Sequence, residues 1–166
     1  MELERKEIFF SAQDESATAY LGGLVGRSLP KGSLVALIGP MASGKTAISR
    51  AIFQARGFDR GFSSPTYTII NRYLQPCGKV AYHIDASRLE SEWELYVQGF
   101  ADFLEEADIV VVEWADAVMG VFGEGDIFVL LKTTGETSRD ICVRSANEAF
   151  VCAVSEGLRS SGHDPY

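Results

Sequence analysis

Cysteine is sparse and unpatterned in this chain: Cys77, Cys142 and Cys152 are odd in number and form no CxxC pair. A disulfide framework or a zinc site is therefore not expected, and a reducing compartment fits. Lys and Arg nowhere form a run. The chain holds 15 basic against 23 acidic residues, for a net charge of −8 and an isoelectric point near 4.8. That balance argues against a free-standing nucleic-acid binder, which needs a concentrated basic face to displace counterions from phosphate. No stretch approaches the ~18–20 unbroken apolar residues of a membrane span. The opening MELERKEIFF mixes acids with bases and lacks the basic-then-apolar profile of a signal peptide. A cytoplasmic protein without membrane association is the expectation. Internal repeats and low-complexity segments are also missing.

What is present is an ordinary globular composition, 46% apolar and 23% charged over 166 residues, which corresponds to one domain spanning 1–166. Its core should cover about 7–159, with 160–166 as a flexible tail. Asp14 can cap a helix over 14–28, on which Ala17, Leu21, Leu24 and Val25 recur near helical spacing, although Gly22 and Gly23 weaken the pattern. SLVALIG is a continuous apolar run, as expected for a strand covered on both faces of a parallel sheet. Residues 45–56 read as a helix closed by Gly57. TYTIINRYL and KVAYHID, around QPCG, read as a hairpin. Ser91 to Glu94 has capping-box spacing and should open a helix interrupted by Gly99. DIVVVEW is another apolar strand, DIFVLLKT and RDICVRS form a second hairpin, and Ser145 can cap a last helix near 146–159.

Between the first apolar strand and the helix after it stands Gly39-Pro40-Met41-Ala42-Ser43-Gly44-Lys45-Thr46, a match to GxxxxGK[ST]. At ordinary glycine usage the four fixed positions coincide by chance roughly once in tens of thousands of starts, so the match is informative. In such a loop the backbone N–H groups of Met41, Ala42, Ser43 and Gly44 turn inward to cradle phosphate oxygens. Lys45 supplies a cation to the β and γ phosphates, and the Thr46 hydroxyl can ligate Mg²⁺. The expected fold class is accordingly α/β: a single P-loop NTPase-like three-layer domain with a mixed, mainly parallel central sheet and hairpin additions.

A triphosphate site needs a second acid for the metal at the end of a neighbouring buried strand, and Glu113, closing DIVVVE, is placed for that. Asp85 emerges from VAYHI and could orient water or hold the metal through water. His83, two residues earlier, is either catalytic or a hydrogen-bonded structural histidine in the wall. Ser63-Ser64-Pro65-Thr66 lies where a hydroxyl-bearing loop senses γ-phosphate and Mg²⁺ in phosphate-loop switches, with Ser64 and Thr66 as its hydroxyls. Neither NKxD nor DxxG occurs, so guanine specificity is unsupported and an adenine nucleotide is the default.

The segments GPMASGKT (39–46), SSPTYTIINRY (63–73), HIDASRL (83–89) and VVVEW (110–114), in this order and spacing, resemble the TsaE (YjeE) family, the small ATPase of bacterial tRNA threonylcarbamoyladenosine synthesis. The resemblance implies that Lys45 and Thr46 bind nucleotide phosphate and Mg²⁺, that Thr66 is the switch-like hydroxyl and that Glu113 is the metal-directed acid. It implies further that Asp85 is the catalytically important aspartate, that Trp114 lies beside the nucleotide, and that Arg139 sits near it. ATP or ADP and Mg²⁺ would be the cofactors. A TsaD-like threonylcarbamoyl transferase and its TsaB-like paralogue would be the partners, with tRNA reached only through them. Three positions depart from the family pattern: Ala42 stands where glycine is usual, Ala47 where a second hydroxyl is common, and Ser87 where HxDxYR has tyrosine.

The implied function is weak Mg-dependent ATP hydrolysis stimulated by partners. A non-hydrolytic adenine-nucleotide sensor would carry the same loop. So would a small-molecule kinase, although that class commonly has an Arg-rich lid and this chain has no arginine cluster.

Overall fold

The protein is described by a computed structural model covering residues 5–65, 68–163 and 165. Among these described residues, seven strands form one sheet in the order β1-β7-β6-β2-β5-β4-β3. The strands are β1 (Lys6–Ala12), β2 (Ser33–Ile38), β3 (Ile70–Leu74), β4 (Val80–Asp85), β5 (Ile109–Glu113), β6 (Ile127–Thr133) and β7 (Arg139–Ser145). The helices are α1 (Glu15–Ser28), α2 (Lys45–Ala55), α3 (Glu92–Val97), α4 (Phe100–Glu106) and α5 (Glu148–Ser160), with a kinked 3₁₀ stretch over Ala115–Val121.

The middle of the sheet is parallel, β6, β2, β5 and β4 running together, and antiparallel pairs finish both edges. Strands buried on both faces explain the unbroken apolar runs of β2 and β5. Because successive side chains alternate, Val35, Leu37, Ile109 and Val111 enter the core beneath α1, α2 and α5. Leu34, Ala36, Val110 and Val112 enter the opposite core, with Leu95 of α3, Phe100 of α4 and Val118. The result is the expected three-layer P-loop NTPase-like arrangement, with the parallel pairing concentrated at its centre.

Helix α1 carries glycine for a packing reason. A Cβ at Gly22 would lie 2.7 Å from the Ala51 Cβ, and one at Gly26 would lie 2.8 Å from the Ile52 carbonyl oxygen. The bare backbone lets α1 rest on α2, which holds the latter against the sheet and fixes where its N-terminus points.

Several local expectations shift. The last helix is capped by Asn147, whose side chain accepts from the Phe150 N–H, rather than by Ser145, which instead accepts from the Asn147 N–H at 3.1 Å. Ser91 makes no side-chain cap bond at α3; the Glu94 carboxylate takes the Glu90 N–H instead, at 2.9 Å. Strand β3 begins at Ile70, later than the apolar run suggests. Strand β1 is an addition: KEIFFSA alternates, burying Ile8, Phe10 and Ala12 while pairing antiparallel with β7. Beyond α5, the His163 ring stacks on Tyr20 at 5.6 Å and meets the edge of Phe10 at 5.5 Å.

Candidate phosphate-binding site

The β2–α2 connection begins at Gly39 and hands over to α2 at Gly44, whose φ of 104° is open to glycine. A Cβ there would also overlap the Arg139 guanidinium. Ala42 sits at φ 60°, in the left-handed region although it is not glycine. The N-terminus of α2 faces a cavity of about 580 Å³ lined by the loop from Met41 to Ala47 together with Ser64, Asp85, Glu113, Trp114 and Arg139, and by Glu15 and Glu136 on its rim. Strand ends meet here because β2, β4 and β5 are parallel, so their C-terminal ends share one edge, where open α/β sheets bind ligands.

Lys45 opens α2 and is only 5% exposed. Its ammonium donates to the carbonyls of Gly39 and Pro40, both at 2.7 Å, and lies 3.8 Å from the centroid of the Trp114 ring. Burial pulls its pKa below the ordinary lysine value, against the pull of the Glu113, Asp116 and Asp85 carboxylates. Trp114 is held at φ 56°, the second non-glycine residue in the left-handed region. Backbone strain thus brackets the cavity at Ala42 and Trp114, as it does at many functional sites.

Glu113, at the end of β5, is 3% exposed. Three donors surround its carboxylate: Thr46 Oγ1 at 3.2 Å, Ser49 Oγ at 2.9 Å and His83 Nε2 at 2.7 Å. Burial pushes its pKa up, but the hydrogen bond and electrostatic pull of His83, with the Ser49 and Thr46 bonds, outweigh it and hold the carboxyl below its ordinary value. Asp85 is the direct register partner of Glu113 on the parallel β4, and its Oδ1 accepts the Ser87 N–H at 2.9 Å. Ser87, the departure from HxDxYR, therefore positions Asp85 through its backbone, which any non-proline residue supplies.

Arg139 opens β7, is 7% exposed, and donates from Nη2 to the Thr137 carbonyl at 3.1 Å. Its Nε and the Ser43 hydroxyl are buried without hydrogen-bond partners among the described residues. Thr66, the expected switch-like hydroxyl, lies outside the described residues. Its neighbour Ser64 lines the cavity.

The sequence reading missed two groups. Ser49 follows Thr46 by three residues on one helix face, a spacing that marks it once Thr46 is known to point at an acid. Asp116, whose field reaches Lys45, belongs to the 3₁₀ stretch that follows Trp114 and has no periodic signal.

Sheet order, loop and converging strand ends define a P-loop NTPase-like α/β protein. The solved structure of Bacillus subtilis YdiB superimposes with a TM-score of 0.73 at 19% identity, covering 95% of this chain and 98% of that one, which supports the fold. The family described as threonylcarbamoyl adenosine biosynthesis protein TsaE matches residues 12–141, and the chain belongs to that family. Among its relatives, the Treponema pallidum tRNA threonylcarbamoyladenosine biosynthesis protein TsaE is 32% identical over 134 residues, 80% of this chain and 95% of the relative. The protein of the same description from Haemophilus influenzae is 35% identical over 99 residues, 60% of this chain and 62% of the relative.

Proposed function

We propose that the protein binds ATP or ADP with Mg²⁺ in the cavity at the N-terminus of α2 and hydrolyses ATP as a cytoplasmic component of tRNA threonylcarbamoyladenosine synthesis. It would act with a TsaD-like transferase and its TsaB-like paralogue. The observation that carries the reading is the 3.2 Å approach of the Thr46 hydroxyl to the buried Glu113 carboxylate, at the end of a loop whose lysine is already aimed across its own backbone.

The residues fit a hard cation and a phosphate chain. Thr46 and Glu113 offer oxygen ligands, the donor type Mg²⁺ prefers. Among the described residues no three His, Cys, Asp or Glu side chains gather as a metal cage, so the remaining ligands would come from phosphate and water, as is usual for Mg²⁺. Ser43 Oγ and Arg139 Nε are buried polar atoms awaiting partners, which an anionic ligand at the loop would supply. When bound, Mg²⁺ would neutralise charge on the β and γ phosphates.

Lys45 then exchanges its two carbonyl acceptors for phosphate oxygens, and the loop N–H groups turn onto the same chain. His83 and Ser49 hold Glu113 in place. Asp85, beside it at the strand edge, is the acceptor that orients the attacking water. The net charge of −8 leaves tRNA binding to the partners.

Phosphate release from MgATP, with and without the partner pair, tests this. The rate should rise with partners and fall about 100-fold or more in Lys45→Ala. Unchanged activity in that variant would overturn the site. Nucleotide binding without phosphate release in either condition would favour the sensor reading.

A further inference from the structure

His83 is fully buried, and only one of its ring nitrogens is engaged: Nε2 meets Glu113 Oε1 at 2.7 Å, while Nδ1 finds no hydrogen-bond partner among the described residues. With a carboxylate as acceptor, the proton on that side belongs to Nε2. A histidine that ligates a metal normally has its ring oriented by a hydrogen bond from its other nitrogen, so that both nitrogens are engaged. Here the plane of the ring is set by aromatic packing instead. Phe62 stacks on it at 5.3 Å and 20°, and Phe53 of α2 closes the other contact at 5.4 Å and 46°.

Phe62 belongs to the connection between α2 and β3, the segment that carries Ser64 to the cavity. Its ring also lies parallel to Tyr73, at 6.1 Å and 9°. The next residue is clamped by polar bonds: the Ser63 carbonyl accepts from Tyr73 Oη and from Asn71 Nδ2, each at 3.0 Å. The loop therefore has two anchors on β3, and the aromatic one touches the histidine that touches the acid.

We propose that His83 is a positioning residue coupling the 62–65 loop to the Glu113 carboxylate, with Phe62 setting the plane of the imidazole and Nε2–H setting the direction of the carboxylate. A loop that moves its Phe62 ring turns the acid, and an acid engaged by a cation favours one position of the loop. The inference rests on the nucleotide reading of the cavity, because it assigns Glu113 a metal-directed role.

The test uses the full chain and a fluorescent ATP analogue (mant-ATP), titrated with Mg²⁺ and separately in EDTA. His83→Asn places its amide where Nδ1 stands and removes the donor to Glu113. It should raise the Mg²⁺ midpoint about tenfold, the low end for partners of metal ligands, with affinity in EDTA unchanged. His83→Gln returns an N–H near the Nε2 position and should recover most of the response. Phe62→Leu should raise the midpoint about threefold in the wild-type background and have no effect beside His83→Asn, since both act through one ring.

If the wild-type protein binds no mant-ATP, or binds it without regard to Mg²⁺, the reading of the cavity fails and takes this coupling with it. If the wild type responds to Mg²⁺ but His83→Asn matches it, or Asn and Gln behave alike, the coupling alone is overturned. Additive effects of Phe62→Leu and His83→Asn would remove Phe62 from the path. Circular dichroism on each variant identifies one that has not folded; should that be His83→Asn, Phe62→Leu against wild type carries the test, and an unchanged Mg²⁺ midpoint there overturns the coupling.

Discussion

The ammonium of Lys45 lies 3.8 Å from the centroid of the Trp114 ring while donating to two carbonyls of its own loop. A buried cation is thus satisfied by backbone oxygens and an aromatic face, with the Glu113 carboxylate engaged by other donors. The chain contains two tryptophans, and the other, Trp93, is 71% exposed.

That geometry makes Trp114 a reporter of the loop. In a Trp93→Phe background its emission should change when ATP is added, because Lys45 must leave the ring to reach phosphate. Trp114→Leu should destabilise the ligand-free protein by about 1–2 kcal/mol through loss of a desolvated cation–π contact, and Trp114→Phe by less. Urea midpoints check the second claim. Emission that stays constant at saturating ATP would contradict the placement of nucleotide beside Lys45.

Glu113 gives a pH-dependent prediction. Its pKa is lowered in the folded protein, so the sign is that of a stabilising carboxylate: its contribution is complete above the unfolded value of about 4.3 and is lost as pH falls through the lower folded value. Glu113→Gln should be less stable than wild type at pH 7, with the gap closing on acidification below about pH 4. The same substitution should weaken the Mg²⁺ dependence of nucleotide binding. Denaturation series at several pH values test the first part; a gap that persists undiminished to about pH 2 would show that the carboxylate is not what the three donors stabilise.

The loop backbone supplies the third prediction. Ala42 at φ 60° holds a conformation that costs an L residue roughly 1–2 kcal/mol. Glycine there relieves that cost but loses about 0.4–1 kcal/mol through the greater freedom of the unfolded chain. Ala42→Gly should therefore stabilise by up to about 1.5 kcal/mol, or up to about 5 °C in Tm for a chain of this size. Gly44→Ala should do the reverse and cripple nucleotide binding, since the new methyl group needs the space of Arg139 at a φ of 104°. Scanning calorimetry with and without nucleotide separates the two. A Gly44→Ala protein with wild-type affinity would show that Arg139 need not pack on the loop.

Much of this site was legible because its signals are local. The β2 run, the GPMASGKT loop and the α2 helix are consecutive, and Glu113 ends a strand whose five residues are all apolar but the last. What escaped depends on partners far along the chain. β1 exists by pairing Lys6 with Ser145 at the start of its register, a relationship no window around residue 6 contains. Ser49 is an unremarkable helix hydroxyl until β5 brings Glu113 within 2.9 Å. The partners of His83 were hidden in the same way: its ring bonds Glu113 within the wall, and Phe62 stacks on it from a loop with no periodicity. At Ser145 the residue type was reasonable for a cap and Asn147 made the bond, while Ser91 stands at the N-cap of α3 without a side-chain cap bond, because caps are decided by backbone direction at the last residue.

At the opposite end of β5, Asp108 and Arg56 form the pair that ties the end of α2 to the sheet. Arg56 Nε and Nη2 meet Asp108 Oδ2 and Oδ1 at 2.9 and 2.8 Å, and Nη1 donates to the Leu29 carbonyl at 2.8 Å. The side chains are 16% and 3% exposed, so removing one partner strands a largely desolvated charge. Asp108→Ala should cost about 3 kcal/mol, roughly 10 °C in Tm. Replacing both partners, as Arg56→Met with Asp108→Leu, should recover much of that loss, since an apolar pair leaves nothing unsatisfied. Nucleotide affinity should survive the single substitution, because Asp108 precedes β5 and Glu113 ends it. A double variant less stable than Asp108→Ala would mean that the pair specifies the geometry of this corner, beyond satisfying its own charges.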